Sequence, residues 1–71
     1  MKQYTERDNE IIDFIFQYQQ LYGYSPTVRE IGKNLYMSKT AVQRHLYKLV
    51  ELGYLNMTPK TPRSIVLKIA I

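Results

Sequence analysis

Apolar residues recur with a helical period over the first third of the chain. Ile11, Phe14, Ile15, Tyr18, Leu21 and Tyr22 fall within one arc at about 100° per residue, which predicts an amphipathic helix over roughly residues 6–22. Thr5 followed by Asp8 is close to a capping box, with Asp in place of the usual Glu. Glu6, Asp8 and Glu10 put negative charge at the end of the helix where its dipole favours it. Gly23 suits a left-handed stop, and Pro26 follows shortly. Ile12 and Phe16 fall outside the arc, four apart and therefore neighbours on the helix surface. Either later parts of the chain cover this pair, or it forms a small contact patch.

A second, shorter pattern begins at Thr27. Thr27-x-x-Glu30 is a full capping box, Pro26 can staple against Ile31, and Val28, Ile31 and Leu35 supply a buried side over roughly 28–35. Gly32 inside this helix costs about 1 kcal/mol relative to Ala, so a packing reason is expected, with close approach of a neighbouring helix first in line. Ser38 then caps a third helix, and Gly53 ends it. Its inner face reads Ala41, Val42, His45, Leu46, Leu49 and Leu52, with Val50 at the edge. Its outer face reads Thr40, Gln43, Arg44, Tyr47, Lys48 and Glu51.

After Gly53 the period changes. Tyr54–Met57 reads as a short strand, 58–62 as a loop of about five residues, and 63–69 as a second strand rich in β-branched residues. Two strands alone are marginal, so they must pack on the helices. The expected fold is mainly α with a small β-hairpin: a three-helix winged helix-turn-helix, with residues 1–71 forming a single domain.

Composition narrows the chemistry. The chain has 71 residues, no cysteine and one histidine, so disulfides, thiolate chemistry and a multi-histidine metal site are ruled out. His45 reads as a packed or hydrogen-bonded residue and not as a ligand or catalytic base, since no second histidine or nearby carboxylate accompanies it in sequence. No carboxylate pair, nucleophile–base set or glycine-rich phosphate loop is visible, and neither an enzyme nor a cofactor is expected. No apolar run approaches a membrane span, and the polar start does not suit a signal peptide; a cytoplasmic protein without a membrane partner is expected.

The net charge is +4, and its placement says more than its size. Residues 1–24 carry Lys2 and Arg7 against Glu6, Asp8, Glu10 and Asp13, a net of −2. Residues 25–71 carry eight basic groups against Glu30 and Glu51, a net of +6. This asymmetry points to an anionic partner, nucleic acid before an anionic membrane surface. In a helix-turn-helix the first turns of the longer helix meet base edges in the major groove, and Thr40, Gln43 and Arg44 occupy those turns. The helix N-termini at Thr27 and Ser38 can offer N–H groups to phosphate, flanked by Arg29, Lys33 and Lys39. Tyr47 and Lys48 extend the same outer face as further backbone contacts. Lys60 and Arg63 fall at the tip or flank of the wing, in a loop stiffened by Pro59 and Pro62.

The run Gly23-Tyr24-Ser25-Pro26-Thr27-Val28-Arg29-Glu30-Ile31-Gly32 resembles the N-terminal winged helix-turn-helix domain of LexA repressors. Val42-Gln43-Arg44-His45-Leu46, Leu52-Gly53-Tyr54-Leu55 and the wing Pro59–Ile65 are similar to that family as well, so the likeness covers about residues 4–69. It implies a transcriptional repressor that reads double-stranded DNA with its third helix. By position, Ser38, Thr40, Ala41, Gln43 and Arg44 would face the bases. Two departures stand out. The family usually has Gly where this chain has Tyr36, with a following turn about one residue longer. The family also carries a C-terminal dimerisation and self-cleavage domain with a Ser/Lys dyad. Here Ser25, Ser38 and Ser64 each have a structural or DNA-side explanation, so self-cleavage is not expected. A stand-alone regulator of phage or plasmid origin fits as well as a piece of a longer protein.

The alternative reading is a winged-helix protein–protein interaction module, which the seven tyrosines and the Ile12–Phe16 pair would serve. A weak homodimer through the first helix (Ile12, Phe16) or through an edge strand over Ile65–Ile71 is the expected self-association.

Overall fold

The structure, a computed structural model, describes residues 3–68. Thr5 opens the first helix, α1 (Glu6–Tyr22), with a reciprocal capping box: its hydroxyl accepts from the Asp8 N–H, and Asp8 accepts from the Thr5 N–H. Gly23 closes α1 at φ 80°, the left-handed conformation a glycine adopts without cost. Thr27 and Glu30 repeat the box at α2 (Val28–Leu35). Ser38 alone caps α3 (Lys39–Glu51), its hydroxyl accepting from the Ala41 N–H. Two short antiparallel strands follow, β1 (Leu55–Asn56) and β2 (Val66–Leu67), with Leu55 opposite Leu67 and Asn56 opposite Val66. The order of elements is that of a winged helix-turn-helix, as the periodicity predicts.

The three helices, β1 and the residue before β2 contribute to one core of Ile11, Ile12, Ile15, Ile31, Val42, Leu46, Leu49, Leu55 and Ile65, and Leu67 of β2 packs against it. Ile12, only 2% exposed, is part of it, which corrects the contact-patch reading. The reason is that α1 buries two stripes instead of one. Asp8, Ile12, Phe16 and Gln19 follow one another at helical spacing. That stripe meets α3 through Asp8 and the wing through Gln19, whose side-chain amide donates to the Ile65 carbonyl. Phe16 on this stripe is half-buried. A homodimer resting on an exposed Ile12–Phe16 pair therefore loses its motive. The terminal strand expected as a sheet edge begins with a buried Ile65, and residues 69–71 lie outside the described residues.

The apolar arc of α1 fades at its end: Leu21 is 74% and Tyr22 52% exposed. The helix outruns the core there, and Tyr22 packs on Tyr18 (centroids 4.5 Å apart) and Tyr24 (6.1 Å) instead. Leu52, expected inside, is the exposed C-cap of α3. The strands are shorter than predicted, so nine residues, 57–65, join them where five were expected. Pro59 and Pro62 have no N–H to give to a ladder, and Lys60 (φ 61°) and Arg63 (φ 57°) turn left-handed, so the segment folds as turns. Ser64 closes its base by donating to the Thr58 carbonyl and accepting from the Thr58 N–H, both at 3.0 Å.

Gly32 has its packing reason, but not mainly a helix. A Cβ there would stand 2.6 Å from the Met37 carbonyl oxygen, in the turn that leads to α3; the nearest atom of α3, a Val42 methyl, would be an ordinary 3.6 Å away. The turn folds back so closely that only glycine fits. No helix among the described residues is long and apolar enough to cross a membrane.

Candidate nucleic-acid interface

The α2–α3 pair and the wing loop enclose a groove of about 380 Å³. Thr27 and Arg29 line it from α2, Lys39, Gln43 and Tyr47 from α3, and Lys60 from the wing. Arg29 and Lys39 also border a second depression that adds Lys33. Six of the residues expected to hold a DNA backbone or read a base thus surround one concavity, although they come from three separate stretches of sequence. Thr40 and Arg44 stand exposed on α3 beside it, Ala41 is half-buried, and Ser38 is exposed at the cap with its hydroxyl engaged by Ala41. Among the described residues, no ion pair involves Arg29, Lys33, Lys39, Arg44 or Lys60. Their charges are available to a ligand.

Two expected backbone contacts are committed elsewhere. Lys48 turns inward: its Nζ lies 2.6 Å from Asp8 Oδ2, beside the His45 Nδ1 at 2.6 Å from Oδ1. An ionised carboxylate only accepts, so the His45 ring donates to it. Burial pushes the Asp8 carboxyl up, but hydrogen bonds from Lys48, His45 and Thr5 outweigh it and hold it down at about 2. His45 is thus the packed, hydrogen-bonded residue expected, though its partner lies 37 residues away.

Arg63 is the second. Its Nη1 and Nη2 donate to the two Glu30 oxygens at 3.0 and 3.1 Å. Nη1 also reaches the Ser25 carbonyl (3.0 Å) and the Tyr18 hydroxyl (3.2 Å), and the guanidinium lies over the Tyr24 ring at 4.6 Å. The Thr27 N–H and Arg63 together hold the Glu30 carboxyl down at about 2. Sequence reasoning missed both nodes. The available signal was that each capping carboxylate has acceptor capacity beyond its own helix, and that His45 and Lys48, three apart on α3, lie on one side.

Comparison with known proteins bears on the chain as a whole. The family described as LexA DNA binding domain matches residues 1–64. The LexA repressor of Thermosipho melanesiensis is 39% identical over 65 residues, covering 92% of this chain and 33% of the relative. The LexA repressor of Staphylococcus aureus strain N315 is 42% identical over 66 residues, covering 92% and 32%. This chain belongs to the LexA DNA-binding domain family. It spans about a third of the length of these relatives.

Within the LexA frame, Tyr36 becomes informative. At the position where the resemblance implies glycine, Tyr36 holds φ 57° and ψ 47°, caps α2 by donating its N–H to the Gly32 carbonyl, and is 95% exposed. The turn keeps a glycine's conformation with a residue that pays about 1 kcal/mol to adopt it. The helix-turn-helix geometry therefore survives the departure, because Gly32 and the Met37 carbonyl close the turn from the other side.

Proposed function

We propose that this chain is the operator-reading domain of a LexA-type transcriptional repressor acting on double-stranded DNA in the cytoplasm, by binding and not by catalysis. The observation that carries the reading is the groove between α3 and the wing, lined by cations that form no ion pair among the described residues and next to the exposed outer face of α3. In this reading α3 enters the major groove, and Ser38, Thr40, Ala41, Gln43 and Arg44 face the base edges. Arg is suited to guanine, Gln to adenine and the Thr methyl to thymine. Thr27, Arg29, Lys33, Lys39, Tyr47 and Lys60 track the phosphates and supply affinity and register. One module contacts one half-site, so affinity is modest until two copies sit about one helical turn apart, where effective concentration multiplies it.

Selection on random duplexes followed by binding of Arg44→Ala tests this. The selected site should lose discrimination at one base pair, worth about 1–3 kcal/mol. Equal weakening on every duplex would make Arg44 a phosphate contact. Absence of binding to any duplex at low salt would overturn the reading itself.

A further inference from the structure

We propose that Arg63 is a positioning residue that latches the wing to the N-terminal turn of α2, and that it sets Lys60 against the groove without touching DNA. The inference rests on the DNA-binding reading above and adds a division of labour within the wing. Arg63 and Lys60 are the basic residues of the 57–65 loop, and both have left-handed backbones, but their surroundings are opposite. Lys60 has no ion-pair partner among the described residues and lines the groove. Arg63 spends both terminal nitrogens on Glu30, Ser25 and Tyr18, and one face on Tyr24. A phosphate that took over Nη1 and Nη2 would have to displace a bidentate carboxylate, the stronger form of an arginine contact.

The partner is what gives the latch its consequence. Glu30 Oε1 also accepts from the Thr27 N–H at 2.8 Å, and Oε2 accepts from the Tyr18 hydroxyl at 3.1 Å. One carboxylate therefore ties together the α2 cap that lines the groove, the last turns of α1 and the wing. Between Ser64, which clamps Thr58, and Arg63, which grips Glu30, the segment carrying Lys60 is held at its base on two sides. Without the latch, that segment must be ordered when DNA arrives. Ordering one long side chain and its loop weakens binding by about two- to tenfold.

Glu30→Gln separates the alternatives, because Gln at this position still completes a capping box while losing the charge that holds Arg63. Fluorescence anisotropy with the selected duplex, over a series of salt concentrations, is the measurement. A latch predicts weaker binding of Glu30→Gln and of Arg63→Gln, with the steepness of the salt dependence unchanged in both. It also predicts that Lys60→Ala loses less affinity in the Arg63→Gln background than in the wild type. Tighter binding of Glu30→Gln, or a salt dependence shallower by about one unit in Arg63→Gln, would make Arg63 a phosphate contact and overturn the proposal. The free protein gives an independent check by ¹⁵N relaxation: Lys60 and Thr61 should gain fast motion in Glu30→Gln, and unchanged relaxation would count against the latch. If the wild type binds no duplex while these amides loosen as expected, the DNA reading fails and the latch stands.

Discussion

Asp8 and Glu30 hold the same place in two different helices. Each is the third residue of a helix whose N-cap is a threonine, each accepts the backbone N–H of that threonine, and each then reaches a basic side chain far along the chain. Each is held at a pKa of about 2. They differ in solvent. The Asp8 side chain is 0% exposed beneath α3, whereas the Glu30 side chain is 33% exposed beneath the wing. A similar ionic motif therefore carries different weight: under α3 it is part of the core, and under the wing it is a surface tie that sets orientation more than stability.

The largest expected effect tests that contrast directly. Asp8→Ala strands Lys48 and His45 under α3 and should cost about 3–5 kcal/mol, which leaves a domain of this size largely unfolded. The loss should persist in high salt, because buried charges are poorly screened. Glu30→Gln should lose much less, and the difference from wild type should fade as salt rises toward about 1 M. Urea melts at two salt concentrations read both. A small, salt-sensitive loss for Asp8→Ala would erase the distinction.

Acid sharpens the comparison next. Both carboxyls have lower pKa values folded than unfolded, so their contribution is present above the unfolded value near 4 and is lost as the pH falls toward 2. For the buried Asp8 this amounts to about 2 kcal/mol across that window. Thermal melts between about pH 5 and pH 2 should therefore decline steeply in the wild type and flatten most in Asp8→Asn.

The smallest effect has the opposite sign. Tyr36→Gly touches neither carboxylate and relieves a left-handed tyrosine, partly offset by the greater freedom of glycine in the unfolded chain. A gain of about 0.5–1 kcal/mol is expected, additive with the Glu30 substitution. A loss would show that the exposed ring supports the turn.

Much of this fold was legible because its punctuation is local. Thr5, Thr27, Ser38 and Gly23 mark helix ends through contacts within a few residues, and the helices begin where those residues predict. The exposure of Arg29, Lys39 and Lys60 was legible for a related reason: among the described residues none of them forms an ion pair, so no distant partner moves it from where its local pattern puts it. What escaped was decided at long range. Lys48 and Arg63 look like free cations until a carboxylate some 30 to 40 positions away is brought beside them, and no spacing rule reaches that far. Ile12 looked misplaced because periodicity assumes one buried stripe, whereas α1 is covered on two sides. The hairpin was overextended because β-branched composition says nothing about Arg63 turning left-handed and Ser64 bonding back to Thr58, which keep 63–65 out of the ladder.

The two faces of α3 differ in how freely they can change. Val42, His45, Leu46, Lys48 and Leu49 are bound to the core or to Asp8, and Gly32 fixes the turn before them. Thr40 and Arg44 are exposed and take part in neither. Descent with modification can therefore rewrite the outward letters of this helix while the inward ones stay constant. A few substitutions at these outward positions leave the scaffold untouched, and a library varied there should yield folded proteins at a high rate.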